Sequence, residues 1–430
     1  MDHSHNPARP AAAITRRGLF QIGAMGAALA ASPVTAQRPT HRFTHGVASG
    51  EPGHDRVLLW TRYVAPETTT FDWQVSENLD FTAIVSEGSA TTSADTDWCA
   101  KCWADNLRPA RWYYYRFIAA DGTMSETGRT RTLPESGMDP FRIAVFSCSN
   151  FGFGYFNAYA HAAEVDDFEL AVHLGDYIYE YKRGEYPSAS AAHPDRTLWP
   201  VKEIVALADY RQRYATYRAD PDLRRIHQLV PMIAMWDDHE SANDSWTGGA
   251  ENHQPDSEGE WEVRKAAAKR AWREWMPVSD ETYARYDIGD LATLVRLDTR
   301  LEGREQPFSL GDVLAGQSTP DAIMAALATF RDGAWASPDR TLLGMAQEAW
   351  LADELRSSRS GGKRWQVIAQ QVVMGRLTTP PDILDALGSD SPAYIRQRVG
   401  ASAMAGRVGL PFNMDAWDGY PAARQRLFAR

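Results

Sequence analysis

Residues that can bind metal ions follow three apolar segments of the sequence. Residues 147–150 (SCSN) follow the first segment, residues 175–179 (GDYIY) the second and residues 237–240 (DDHE) the third. Each apolar segment predicts a buried strand, and the carboxyl ends of parallel strands meet at one edge of a sheet. We therefore expect the polar side chains to converge there and to form a site for two metal ions.

Two metal ions would suit the hydrolysis of a phosphoric ester. They lower the pKa of bound water to ~7, which supplies a hydroxide to attack phosphorus, and they neutralise the phosphoryl oxygens. Asp176 is predicted to bridge the ions and Asp238 to bind the second. Tyr179 would bind as a phenolate, which needs a strong Lewis acid such as ferric iron because a phenol has a pKa of ~10. A thiolate at Cys148 suits the same metal, and His239 is predicted to donate to a phosphoryl oxygen or leaving group.

Each of these residues also has a structural alternative. A Gly-Asp pair at a strand end is common, and the DDHE segment could be a solvated loop. Cys148 could pack as a small hydrophobic side chain, and Tyr179 could belong to the core. The metal-site interpretation depends on finding all of them at consecutive strand ends.

The elements that must position these residues fall into two groups. Residues 41–133 alternate apolar and polar positions between turn residues, which predicts a small antiparallel, fibronectin-III-like β-sandwich. Strands alternate with helices after Phe141, which predicts an α/β domain whose sheet has helices on both faces, with helices at 209–222 and 260–275. The predicted division is a signal peptide at 1–36, the β-sandwich domain at 37–133, a linker at 134–140 and the catalytic domain at 141–430.

Composition limits the function further. The net charge is −11 over 430 residues, with no basic stripe, which argues against a nucleic-acid-binding module. An acidic protein that acts on phosphate esters needs local cations, and metal ions are their natural source. The sequence contains three cysteines. Cys99 and Cys102 lie in a predicted strand, and we expect them to be packed thiols, with a local disulfide as the alternative.

The first 36 residues predict export. Arg16 and Arg17 precede a weakly apolar stretch at 19–30, and residues 34–36 (VTA) offer a cleavage site. That stretch is too short for a membrane span of ~20 residues, so no transmembrane anchor is predicted. The pattern indicates the twin-arginine translocation machinery as a partner and a periplasmic or secreted protein; a disordered basic tail is the alternative.

As a set, these motifs resemble the PhoD-type alkaline phosphatase and phosphodiesterase family of the calcineurin-like metallophosphatase superfamily. The resemblance is carried by HGVASG, FSCSN, HLGDYIYEY, DYRQRYATYR, MWDDHE, LDTR, QQVVMG and DAWDGYPAARQRL, which span nearly all the chain after residue 45. It implies a β-sandwich before an α+β layered metallophosphatase sandwich. It also implies hydrolysis of phosphate mono- or diesters with Fe³⁺ and Ca²⁺, or another divalent cation, in a binuclear or multinuclear site.

The resemblance also assigns roles to individual residues. It implies metal binding by Cys148, Asp176, Tyr179 and Asp238. It implies phosphate contacts, and so a catalytic part, for Asn150 and His239. Trp417 and Asp418 would lie at the substrate cleft, with a structural role as the alternative.

The family pattern continues into a strand with a G-D-x-H motif, whereas this sequence ends at Arg430 and has no histidine after His253. On that ground we expect reduced or absent turnover for this exact chain. Two alternatives to an active hydrolase follow: a truncated inactive homologue, or a protein that binds phosphate esters without hydrolysing them.

Overall fold

A computed structural model describes residues 42–380, 382–388 and 391–429. The predicted signal peptide and its twin arginines lie outside the described residues. Within the described part of the chain, no helix is both long and apolar enough to cross a membrane.

The described chain forms strands and helices in the following order. The strands are β1 Arg42–Gly50, β2 Val57–Val64, β3 Thr69–Ser76, β4 Ile84–Thr92, β5 Cys99–Ala104, β6 Trp112–Ile118, β7 Gly128–Arg131, β8 Ile143–Phe146, β9 Leu170–His173, β10 Met232–Ala234, β11 Ala284–Ile288, β12 Ala292–Arg296 and β13 Trp365–Ala369. The helices are α1 Asn157–Val165, α2 Leu207–Arg218, α3 Pro221–Leu229, α4 Pro255–Glu258, α5 Trp261–Trp275, α6 Leu310–Val313, α7 Pro320–Phe330, α8 Gly344–Ser360, α9 Ile383–Ala386, α10 Ala393–Arg407 and α11 Pro421–Phe428.

The N-terminal strands form the predicted β-sandwich. The antiparallel sheet β4-β3-β6-β7 packs against the antiparallel strands β5, β2 and β1. Strand β6 buries every second residue, as the period of two requires, and contributes Tyr113, Tyr115 and Phe117 to the shared core. The sulfur atoms of Cys99 and Cys102 on β5 are free, which confirms the expectation of packed thiols.

The sandwich strands continue into the sheet of the second half. The strand order is β5-β2-β1-β10-β9-β8, in which β10, β9 and β8 are parallel. The junction is a parallel pairing of Gly50 with Met232. A Cβ atom at Gly50 would lie 2.1 Å from the carbonyl oxygen of Pro277, so only glycine fits at this point.

A second sheet covers one face of the parallel strands, where the sequence analysis predicted helices on both faces. Strands β11, β12 and β13 form this sheet, and Leu170 and Ile233 pack against Leu294 between the two sheets. Helices α2 and α5 cover the opposite face. Strands buried on both sides read as continuous apolar segments whatever covers them, so the sequence pattern could not distinguish a sheet from a helix layer.

The helix predicted at 209–222 is two helices. Helix α2 ends at Arg218, and Asp220 begins α3 by accepting hydrogen bonds from the backbone N–H groups of Asp222 and Leu223. Pro221 at the first position of α3 cannot donate the hydrogen bond that a continuous helix would need. The helix predicted at 260–275 is confirmed as α5.

Candidate metal centre

The loop after β9 turns sharply to bring Asp176 over the sheet edge. Gly175 has φ +101° and Asp176 has φ +55°, both in the left-handed region. A Cβ atom at Gly175 would lie 2.5 Å from Cβ of Asp237, so the close approach of the two strand ends requires glycine. At this turn, the backbone of Gly175 after β9 therefore lies directly against Asp237 after β10.

Three of the predicted residues offer ligand atoms to one point. A carboxylate oxygen of Asp176, a carboxylate oxygen of Asp238 and a ring nitrogen of His239 all lie within 4.8 Å of one another. All three side chains are buried. Among the described residues, this is the group of histidine, cysteine and acidic side chains that is close enough to hold a metal ion.

Tyr179 and Cys148 contact the same carboxylate. The hydroxyl of Tyr179 donates to Oδ2 of Asp176 at 3.0 Å, and Sγ of Cys148 lies 3.5 Å from that oxygen. Cys148 is exposed to solvent and has φ +60°, so it is not the buried hydrophobic side chain of the alternative interpretation. The partial loss of surrounding water at Cys148 and the burial of Tyr179, followed in each case by the charge of Asp176, raise the pKa of the thiol and of the phenol. Each would need a cation beside it to bind as an anion.

His239 is held by a buried carboxylate that the sequence analysis missed. Its Nδ1 lies 2.7 Å from Oε2 of Glu180, which is fully buried. Burial lowers the pKa of His239, but Asp238 and Glu180 outweigh it and raise that pKa well above the ordinary value. With Nδ1 engaged, Nε2 is the nitrogen left to meet a ligand.

Asn150 lies at the end of the first segment, and its side chain is only partly satisfied. Its Oδ1 accepts from the backbone N–H of Gly152 at 3.0 Å, while Nδ2 is buried without an acceptor among the described residues. An unsatisfied buried amide is costly, so a donor here is suited to an anionic ligand.

Arg300 is the main residue of the site that the sequence analysis did not select. Its guanidinium group reaches three carboxylates: Asp237 at 2.5 Å, Asp415 at 2.7 Å and Asp238 at 3.4 Å. The LDTR motif contains Arg300, but the position of that motif in the sequence did not indicate that Arg300 would contact the DDHE segment.

Glu240 fixes the backbone of the site. Its carboxylate accepts hydrogen bonds from the N–H groups of Asp176, Tyr177 and Asp237, at 3.1, 2.6 and 2.7 Å. One buried side chain thus joins the ends of β9 and β10. The conformation of the loop that carries Asp176 therefore depends on a buried carboxylate that three backbone N–H groups engage.

The charges of the cluster do not balance. Burial and the neighbouring Asp238 raise the pKa of Asp176 to about 8. Burial likewise raises the pKa of Asp244 to about 7, with Asp415 and Asp238 adding to it. For Asp238, burial is outweighed by Arg300 and His239, which lower its pKa to about 2. The site has more carboxylates than cations, so it favours either protons or positive ions.

The observations fit a bound metal. Oδ1 of Asp176 is buried without a hydrogen-bond partner among the described residues, although buried polar atoms are normally satisfied. Carboxylate, imidazole, phenol and thiol groups together form a donor set for a transition metal. Asp176, Asp238 and Tyr179 are therefore suited to hold one or two metal ions.

Trp417 and Asp418 lie in a different environment. Trp417 is fully buried in a cluster with Leu297, Leu351 and Tyr420, and its indole N–H donates to Gln370 at 3.1 Å. The carboxylate of Asp418 accepts from the backbone N–H of Leu377 at 2.7 Å and pairs with Arg424. These contacts are those of a structural core; the nearby residue that reaches the cluster is Asp415.

Comparison with known proteins places this architecture in a family. The protein-family model described as PhoD-like phosphatase matches residues 143–430. The family model described as PhoD-like phosphatase, N-terminal domain, matches residues 28–134. The chain is 32% identical over 409 residues to alkaline phosphatase D of Bacillus subtilis (strain 168), covering 90% of this chain. It spans 61% of that relative's length.

A solved structure described as the structure of PhoD superposes with a TM-score of 0.70 at 32% identity, covering 90% of this chain and 68% of the other. The architecture is thus a β-sandwich joined to a two-sheet phosphatase fold. The chain belongs to the PhoD-like phosphatase family.

Proposed function

We propose that this protein is a metal-dependent phosphoric ester hydrolase that acts on phosphate mono- or diesters. The observation that carries the proposal is the meeting of Asp176 and Asp238 at one buried point, with an oxygen of Asp176 left unpaired. Membership of the family supports the reaction class, and the name of the relative, alkaline phosphatase D, agrees with it.

Asp176, Asp238, Tyr179 and Cys148 would hold the metal ions, with iron favoured beside the phenol and calcium or another divalent cation as its partner. Metal ions supply positive charge for the phosphoryl group and lower the pKa of water. Asp176 is the one carboxylate that both Tyr179 and Cys148 contact, so it is the candidate bridge between two ions.

Two further residues would act on the ester itself. The unpaired Nδ2 of Asn150 would donate to a phosphoryl oxygen. His239, kept protonated by Asp238 and Glu180, would donate a proton from Nε2 to the departing oxygen. Arg300 would hold Asp238 and Asp237 in position from beneath the site.

The test is metal analysis of the purified 430-residue chain, coupled to turnover of one aryl phosphate monoester and one aryl phosphate diester. We expect bound metal, and we expect a chelator to abolish whatever turnover the chain retains, with recovery when metal is restored. A chain that binds metal and phosphate esters but turns neither over would instead be a binding protein. A chain without metal that still turns the esters over would contradict the metal assignment.

The place of iron has a separate, spectroscopic test. A phenolate bound to ferric iron absorbs visible light, so the Tyr179→Phe variant should lose that band. The matched control is Tyr115→Phe, because Tyr115 on β6 is a buried phenol in the core of the β-sandwich. A band that survives in the Tyr179→Phe variant would remove Tyr179 from the metal ligands.

We also propose that the protein is exported through the twin-arginine route. The support is the sequence pattern at Arg16 and Arg17 followed by residues 34–36. Replacing both arginines with lysine should retain the protein in the cytoplasm with its leader uncut. Unchanged fractionation would contradict this proposal without affecting the enzymatic one.

A further inference from the structure

Two motifs of the sequence supply none of the candidate metal ligands, and they meet elsewhere in the fold. HGVASG forms part of β1, and DYRQRYATYR forms most of α2. Strand β1 packs against α2 and α3, and the rings of His45 and Trp275 lie 5.1 Å apart. The last residue of α2, Arg218, is fully buried at this junction. Its environment is unusual for a cation.

Within the described part of the chain, the guanidinium group of Arg218 has no partner of opposite charge. None of its three nitrogen atoms has a hydrogen-bond acceptor among the described residues. Its Cζ atom lies 4.3 Å from the ring centroid of Trp60, and its other polar neighbour is the uncharged phenol of Tyr177. A cation–π contact offsets only part of the cost of burying a charge, because an unpaired ion loses its hydration without gaining a counter-charge.

The groups that surround Arg218 cannot supply the missing charge. The phenol of Tyr177 lies 2.9 Å from Nε2 of His227 and offers a hydroxyl, not a carboxylate, to its surroundings. Burial, followed by nearby arginines that include Arg218, lowers the pKa of His45 to about 3. Burial and Arg218 also lower the pKa of His227. Every one of these neighbours is uncharged at neutral pH.

The carboxylates on this side of the molecule are already paired. Asp220 binds Arg196 at 2.6 Å, and Glu274 binds Arg211 at 2.7 Å. Other buried arginines follow the usual rule: Arg264, for example, lies 2.9 Å from Glu203 and 2.8 Å from Glu258. Arg218 departs from that rule, which makes it a candidate for a counter-ion taken from solution.

We propose that Arg218 binds a small monovalent anion of the chloride type between β1, β2 and the helix pair α2–α3. One negative charge neutralises one guanidinium group, whereas a phosphate dianion would leave an excess charge in a site walled by Trp60 and Tyr177. When Tyr177 donates to Nε2 of His227 (2.9 Å), the neutral ring carries its proton on Nδ1, which is buried without a partner. That N–H would add a donor at the same junction.

The site would also steady the metal-binding loop. Tyr177 directly follows Asp176, and its hydroxyl is fixed to His227 of α3 beside Arg218. An anion at Arg218 would hold this contact in place by lowering the cost of the buried charge. The inference is independent of the proposed hydrolysis, since it concerns stability and occupancy.

The experiment measures thermal unfolding of the full chain while chloride replaces gluconate at constant ionic strength. Because a ligand that binds only the folded state stabilises it by mass action, we expect the midpoint to rise by about 2–3 °C. Arg218→Met should abolish the chloride-dependent rise. The control Arg264→Met should lower the midpoint in both salts and keep the rise, because it removes a cation that is already paired.

Crystals grown in bromide give a second measurement that does not depend on a variant folding. An anomalous peak in contact with the Arg218 guanidinium is expected. Equal midpoints in the two salts, a rise that persists in Arg218→Met, or a water molecule in place of the bromide would each overturn the proposal. Should Arg218→Met fail to fold, the wild-type chloride response and the bromide crystal decide between the outcomes.

Discussion

Two buried clusters of opposite charge are connected by the dipeptide Asp176-Tyr177. Asp176 belongs to the acidic cluster at the strand ends, where carboxylates outnumber cations. Tyr177, the next residue, contacts the cluster around Arg218, where a cation has no carboxylate partner among the described residues. Asp176 and Arg218 are both buried, yet neither cluster balances its charge internally.

The comparison indicates how residual buried charge predicts a ligand site in this fold. A buried ion pair needs nothing from solution, as the network of Arg264 shows. A buried cluster with residual charge is stable only with protons, water or an ion of the opposite sign. The sign of the residual charge therefore predicts the sign of the ligand: cations at Asp176 and an anion at Arg218.

The largest expected effect comes from neutralising the acidic cluster at its centre. Asp176→Asn should lower turnover of phosphate esters by about a thousandfold, because a bridging carboxylate positions the metal ions that supply several kcal/mol of transition-state stabilisation. Metal content and turnover are measured together. Asp209→Asn, at the start of α2, is the control, and it should retain both. Wild-type metal content in Asp176→Asn would contradict the assignment of Asp176 as a metal ligand.

The next effect tests whether Arg300 is the internal cation that partly balances the acidic cluster. Arg300→Met leaves Asp237, Asp238 and Asp415 without their shared partner and should lower the free energy of unfolding by about 3–5 kcal/mol. Denaturant unfolding measures it. Added divalent cation should recover part of the loss, since both ions would neutralise the same carboxylates. A loss that divalent cations leave unchanged would argue against that shared role.

A third buried region carries no residual charge and serves as a reference. Trp417→Phe should lower the free energy of unfolding by about 1–3 kcal/mol through lost packing, while the KM for phosphate esters stays unchanged. Denaturant unfolding and steady-state kinetics test it together. A raised KM with unchanged stability would return Trp417 to the substrate cleft that the sequence resemblance implies.

The smallest effect is an opposite pH dependence of the two clusters in metal-free protein. The pKa of Asp176 is raised to about 8, so its contribution to stability is present at low pH and is lost as pH rises through 8. The pKa of His45 is lowered to about 3, so its contribution is present above pH ~6.5 and is lost as pH falls toward 3. For each group, the free energy of unfolding changes by at most about 1.4 kcal/mol per pH unit.

Unfolding curves across pH separate the two contributions. Asp176→Asn should flatten the fall in stability between pH ~4 and ~8, and His45→Gln should flatten the rise between pH ~3 and ~6.5. If both variants change the same limb, the two clusters do not differ in sign as described.

Much of the candidate metal centre was predictable from the sequence because its residues follow apolar segments. The strand ends after β8, β9 and β10 supplied Cys148, Asp176 and Asp238 in order, and the structure brings these side chains together. Arg300 and Glu180 were not predictable in the same way. An arginine or glutamate in a loop is usually solvated, and only long-range packing turned these two into buried partners.

The fold, like the site, was predictable from the sequence only in part. The period of two in residues 41–133 predicted a sandwich, and burial on alternate positions of β6 confirms it. The second sheet was missed because an apolar strand has the same pattern under a sheet as under a helix. The break between α2 and α3 was signalled by Asp220-Pro221, a capping residue followed by proline, but the preceding helical pattern obscured it.

The sequence by itself determined which residue types stand at each strand end, because hydrophobic periodicity and turn residues are local properties. Only the tertiary structure decided the charge balance of the two buried clusters. Whether a buried ion has a partner depends on contacts between residues that are far apart in the chain, such as Arg300 with Asp237 or Arg218 with Trp60. Electrostatic interactions strengthen when packing removes water, so the ligands that these clusters require follow from the assembled fold.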